Sequence, residues 1–125
     1  MIWNFEELIV WQLARELVTK VYSLLQDNKD FGFRDQIQCA AISVMNNIAE
    51  GFERSKYAKD NAMFIHFLGI AMGSSTEVKS MLYTAEDLAY IHPEECILLR
   101  NQCTHIAIKI SSLIKFLMEH PKNTK

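Results

Sequence analysis

From Cys96 to Leu117 the chain repeats one spacing without a fault. Cys96, Leu99, Cys103, Ile106, Ile110, Leu113 and Leu117 are separated alternately by three and four residues. An α-helix, at about 3.6 residues per turn, gathers such positions on one side, whereas a strand throws them to both faces. The spacing predicts a long helix that must bury this seam. Pro93, a favoured first helical position, opens it, and Glu94 and Glu95 follow where negative charge suits the helix dipole. Pro121 and the tail after it end it.

Three earlier segments keep the same time. The first runs from about Asn4 to Gln26, with Val10, Leu13, Leu17, Val21 and Leu24 on its stripe and an Asn4/Glu7 pair resembling a capping box. The second runs from about Arg34 to Arg54, with Ile37, Ala41, Val44 and Ile48. Before it, "DNKDFGF" reads as a loop. The third runs from about Ala58 to Tyr90 through Phe64, Leu68, Ala71, Ser75, Val78, Leu82, Ala85 and Ala89. No stretch alternates as a strand would, and two prolines and four glycines are few. Four long helices with short links pack most simply as an antiparallel, up-down-up-down four-helix bundle, an all-α fold. The bundle domain is placed at residues 1–121, with 122–125 a short tail.

Half of the 125 residues are hydrophobic, enough to build a core without metal or disulfide. The net charge of −2 argues mildly against a free-standing nucleic-acid grip. Cys39, Cys96 and Cys103 form no metal or redox spacing, and their odd number fits a reducing cytoplasm. "MIWNFEELIV" carries Glu6 and Glu7 where a secretory leader is basic. No uncharged run reaches the ~20 residues of a membrane span. The expectation is a soluble cytoplasmic protein with no membrane partner.

The apolar residues exceed what one bundle face uses. Trp11, Val18, Tyr22 and Leu25 in the first segment, and Met63, Phe67 and Ile70 in the third, mark second faces. Large exposed apolar patches mark interaction surfaces, and self-association is the leading reading; a broad core stripe with boundary residues is the other. Gly69 and Gly73, four apart, lie on one face. Gly51 falls on the inward stripe of the second segment, where it reads as a notch for close packing or as the start of helix fraying. Ser43, Asn47, Glu50 and Arg54 form a polar line beside that stripe. It is either a solvated face or a hydrogen-bonded contact that Glu77 and Lys79 of the third segment could meet.

Catalytic patterns are missing. No Glu has a His three residues on, and His66, His92, His105 and His120 are scattered. There is no H-E-x-x-H, G-x-G-x-x-G, Walker loop or G-x-S-x-G. No enzyme, cofactor or metal is expected.

"NIAEG" (Asn47 to Gly51), Arg54 shortly after it, and "IAMGSSTEV" (Ile70 to Val78) resemble the 23S rRNA intervening-sequence protein family, which includes accessory proteins of diversity-generating retroelements. With "FEELIVWQLARELVTKVY" at the start, the resemblance covers nearly the whole chain. It implies an antiparallel four-helix bundle that assembles as a homopentamer and has no enzymatic activity. In the retroelement members it implies binding of nucleic acid and a reverse transcriptase through basic surfaces. Gln38 and Cys39 stand where the family often has paired arginines, and Met45 and Asn46 where it often has Pro-Ser. Losing two cations weakens an inherited RNA contact, because phosphate neutralisation dominates such affinity.

Three readings of function follow. The first is an oligomeric scaffold contacting RNA or a nucleic-acid enzyme through Arg54, Lys56 and Lys59, with Lys109, Lys115, Lys122 and Lys125 as further cations. Against it, Glu50, Glu53 and Asp60 sit among the same residues. The second is an oligomer that binds protein alone. The third is a ligand or enzyme site at a subunit interface.

Overall fold

The computed structural model describes residues 2–122. A single 3-10 turn, Phe5–Glu7, precedes four helices: α1 (Ile9–Leu25), α2 (Phe31–Ser55), α3 (Ala62–Asp87) and α4 (Pro93–Glu119). There is no strand among the described residues. Contacts between helices fix their directions. Along α2 and α3, Gln36 meets Glu77 and Ser43 meets Ser74, so one sequence ascends as the other descends. Along α3 and α4, Glu86 meets Arg100, Ser75 meets Cys103 and Asn61 meets Leu117. The link at residues 26–30 is too short to carry the chain back along α1, about 25 Å long, so α2 returns antiparallel. α1 also packs on α4 and closes the ring.

The stripes meet along the bundle axis. Leu17, Val21, Ile37, Val44, Ile48, Leu68, Val78, Leu82, Ile106 and Ile110 are wholly buried. Each such aliphatic side chain contributes about 1.5–3 kcal/mol relative to exposure. Leu113 and Leu117, at the end of the α4 seam, are half-buried.

Several boundaries differ from the periodic reading. The first segment is not one helix. Leu8 takes an extended conformation (φ −73°, ψ 125°) that separates the 3-10 turn from α1 and buries its own side chain. The Glu7 carboxylate still caps this entry, accepting from the Asn4 and Trp3 backbone N–H at 2.9 and 3.0 Å. The core line of α1 is rotated: Ala14 and Leu25 are wholly buried, while Leu13 and Leu24 lie at its edge. Leu25 is therefore a core residue and not part of an outer face. α2 begins at Phe31, earlier than Arg34, because the Asp30 side chain accepts from the Phe33 N–H at 3.2 Å and caps the helix.

α3 stops at Asp87, and Ala89 is exposed instead of continuing the stripe. Tyr90 N–H donates to Ala85 O at 2.8 Å and Ala89 N–H to Glu86 O at 3.0 Å. This is a Schellman turn, whose left-handed position is held here by Ala89 at φ 57°.

Candidate functional site

The signature residues of α2 sit on the side that packs on α3. Gly51 is buried, and a Cβ added there would lie 2.6 Å from the Phe67 Cβ and 3.3 Å from Phe64 Cδ1. The missing side chain is what lets the two helices approach. Phe52 packs edge-on against Phe64 with ring centroids 5.8 Å apart. One helical turn further along, Asn47 Nδ2 donates to the Ser43 carbonyl at 2.8 Å and lies 2.9 Å from Ser43 Oγ. Ser43 Oγ is 2.8 Å from Ser74 Oγ across the interface. Gln36 donates to Glu77 at 3.4 Å beyond it. The polar line thus divides. Its Ser43–Asn47 part is half-buried and crosses to α3, whereas Glu50 and Arg54 pair with each other at 2.8 Å near solvent.

The expected cations lie around the α2–α3 hairpin and are mostly engaged. Arg54 pairs with Glu50 and lies over the Phe67 ring at 5.3 Å. Lys56 pairs with Glu53 at 3.1 Å and lies over Phe52 at 5.4 Å. Lys59 is exposed. Lys122 turns inward, donating to the carbonyls of Ser55 and Ala58. Asn61, buried, donates in the other direction to the Leu117 and His120 carbonyls at 3.1 and 3.3 Å. The end of α4 and the hairpin therefore each supply donors to the other's main-chain carbonyls. Lys109 and Lys115 are exposed on α4; Lys125 lies outside the described residues.

Of the residues expected on outer faces, Met63 and Ile70 on α3 and Tyr22 on α1 are exposed, at 41%, 41% and 39%. Trp11 and Val18 are half-buried against their own core, and Phe67 is half-buried beside Gly51 with Arg54 over its ring. Gly69 and Gly73 are exposed, and among the described residues nothing lies within 4 Å of an added Cβ at either.

Electrostatic perturbations are structural in character. Tyr90 donates to the Asp30 carboxylate at 2.6 Å, which holds Asp30 below the usual aspartate range and raises the Tyr90 phenol. Burial pushes the Cys103 thiol up to about 12, and raises Cys96 as well. No set of three or more His, Cys, Asp or Glu among the described residues is placed to hold a metal. No described helix is long and apolar enough to cross a membrane.

Residues 6–112, from the 3-10 turn through most of α4, match the family described as 23S rRNA-intervening sequence protein. The chain belongs to that family. The 23S rRNA-intervening sequence fold is also seen in the crystal structure of a protein of unknown function from the S23 ribosomal protein family of Bacteroides thetaiotaomicron. The two chains are 27% identical with a TM-score of 0.76, over 86% of this chain and 99% of that one. No curated protein matches the sequence. Two residues with a bearing on the hairpin end, Trp3 and Tyr57, carried no periodic or motif signal. They stand in loops, and only the docking of chain segments brings them near one another.

Proposed function

We propose that this member of the 23S rRNA-intervening sequence family is a non-catalytic, cytoplasmic scaffold. It assembles with copies of itself and presents its hairpin end to RNA or to an enzyme that works on nucleic acid. The family resemblance suggests five copies. The observation that carries the reading is the outer face of α3, where Met63 and Ile70 remain exposed beside the open Gly69 and Gly73. Uncovered apolar surface next to a side-chain-free strip suits a second helix at short range. A reducing compartment suits Cys39, Cys96 and Cys103, all free.

A second reading has its own support. Arg54 and Lys56 are already paired with Glu50 and Glu53, and the chain is acidic overall. A protein-binding oligomer that never touches nucleic acid fits those pairs. Light scattering with the absorbance ratio at 260 and 280 nm on the same peak, followed by titration of structured RNA at low and physiological salt, decides between the two. A multimer with salt-sensitive RNA binding supports the scaffold. A multimer that ignores RNA at both salts supports the second reading. A monomer of 14.5 kDa at high dilution removes both.

A further inference from the structure

We propose that a cleft at the hairpin end is a stacking site for an unpaired base of single-stranded RNA, with Lys122 and Lys56 meeting the adjoining phosphate. The proposal rests on the RNA reading above and narrows it to one site and one form of RNA. The cleft encloses about 460 Å³ and is lined by Trp3, Phe52, Lys56, Tyr57 and Lys122, with Ile2 and Ser55. That volume is within the range of about 300–1,000 Å³ usual for small-ligand pockets.

Tyr57 is 91% exposed and Trp3 67% exposed. Tyr57 is the most exposed large apolar side chain among the described residues. Two wide aromatic rings left in water beside one cleft contribute little to this chain's own core. They offer π-faces to a flat ring, and base–aromatic stacking is tolerant of sequence. The Trp3 segment is held in place, since its backbone N–H donates to the Glu7 carboxylate. Phe52 is braced by Phe64 at the cleft's inner side. The Trp3 backbone and the Phe52 ring are thus in place before a ligand arrives, which reduces part of the entropy lost on binding.

The charge at the cleft favours an anionic aromatic over a neutral one. Lys122 donates to two carbonyls, and an ammonium carries three protons, so one remains for a phosphate oxygen. Lys56 faces Glu53, which a phosphate would have to displace, so Lys122 is the stronger anchor. Duplex RNA has its bases stacked and paired within the helix, and cannot insert one without opening. Aromatic grooves also take proline-rich peptides, but a neutral one gains no charge pairing from the lysines. The cleft lies at the end of the bundle that carries the α2–α3 hairpin.

The test uses the full chain with Trp11→Phe, so that emission reports on Trp3. An unstructured oligoadenylate, the matching RNA duplex and a proline-rich peptide are titrated in turn. The expected result is quenching by the single strand with preference over the duplex. Trp3→Ala and Tyr57→Ala each weaken single-strand binding roughly tenfold, measured by anisotropy of labelled RNA. Trp3→Phe retains most of it, and circular dichroism matches the parent throughout. RNA binding that is indifferent to both alanine variants and equal for duplex and single strand overturns this site while leaving the scaffold reading intact. Quenching by the peptide alone overturns it in favour of a protein ligand. No RNA binding at low salt removes both the site and the RNA reading.

Discussion

Gly51 lies against Phe67 so closely that its backbone and the Phe67 Cβ leave no room for a methyl group between them. The obstructing atom is attached directly to the α3 backbone, so a rotamer change cannot relieve the clash. Gly51→Ala gains about 1 kcal/mol of helix propensity but forces α2 and α3 apart, and overpacking costs about 1–3 kcal/mol. The expected net effect is a loss of stability of up to about 2 kcal/mol, read by urea denaturation. A raised midpoint would show that the two helices can separate freely.

Gly73 offers the opposite case. It lies exposed in mid-helix with nothing near an added Cβ. Gly73→Ala should therefore stabilise the isolated fold by about 1 kcal/mol. If the α3 face receives a second copy, the same change lowers the mass seen by light scattering on dilution. A variant that is more stable and still fully assembled removes the Gly69–Gly73 strip from the interface.

The Ser43–Ser74 bond links the two helices in a half-buried setting, with Asn47 donating to Ser43. Removing one hydroxyl leaves the other short of a partner, at a cost of about 1 kcal/mol. Ser43→Ala and Ser74→Ala should each lose that amount, and the double variant less than their sum. A double-mutant cycle with additive losses would mean that the two hydroxyls act independently.

Ala89 carries a left-handed conformation that suits glycine better. Its strain is of order 1–2 kcal/mol, and Ala89→Gly recovers part of it at some cost in unfolded-chain entropy. A rise in stability of about 0.5–1 kcal/mol is expected in thermal denaturation. A fall would show that the turn is held by contacts of the methyl group.

The Asp30–Tyr90 bond gives the protein an acid-sensitive joint between the α1–α2 and α3–α4 connections. Asp30 is depressed when folded, chiefly by the Tyr90 hydroxyl and then by the Phe33 N–H. Its contribution is present above the unfolded aspartate value and is lost as pH falls through the lower folded value. Tyr90 is raised, so the same bond is lost again as pH climbs through the folded phenol value. Tyr90→Phe should flatten the loss of stability at the acidic edge relative to the parent. Identical acid profiles would mean the contact is not kept in solution.

Much of the interior was legible because burial imposes a period. Ile37, Ala41, Val44 and Ile48 are all buried, as are Phe64 to Ala85 at their stated spacing. In α1 the apolar pattern points slightly off the core line, since Leu13 and Leu24 outweigh Ala14 in hydrophobicity while Ala14 is the wholly buried one. The ends were harder. Asp30 as a cap and Ala89 as a left-handed turn residue depend on hydrogen bonds that a periodic stripe does not encode. At the hairpin, the Glu50–Arg54 pair follows from helical spacing alone. The inward turn of Lys122 does not, because its acceptors are main-chain carbonyls 64 and 67 positions away. The cleft between Trp3 and Tyr57 was hidden for the same reason.

Asn61, just ahead of α3, donates to the end of α4, and Lys122, just past α4, donates to the end of α2. The last turn of the bundle is thus stitched to its middle bend, and neither can loosen alone. A fusion or cut that pulls Lys122 away would unravel two helix ends at once, and would reshape the aromatic cleft that Lys122 helps to wall.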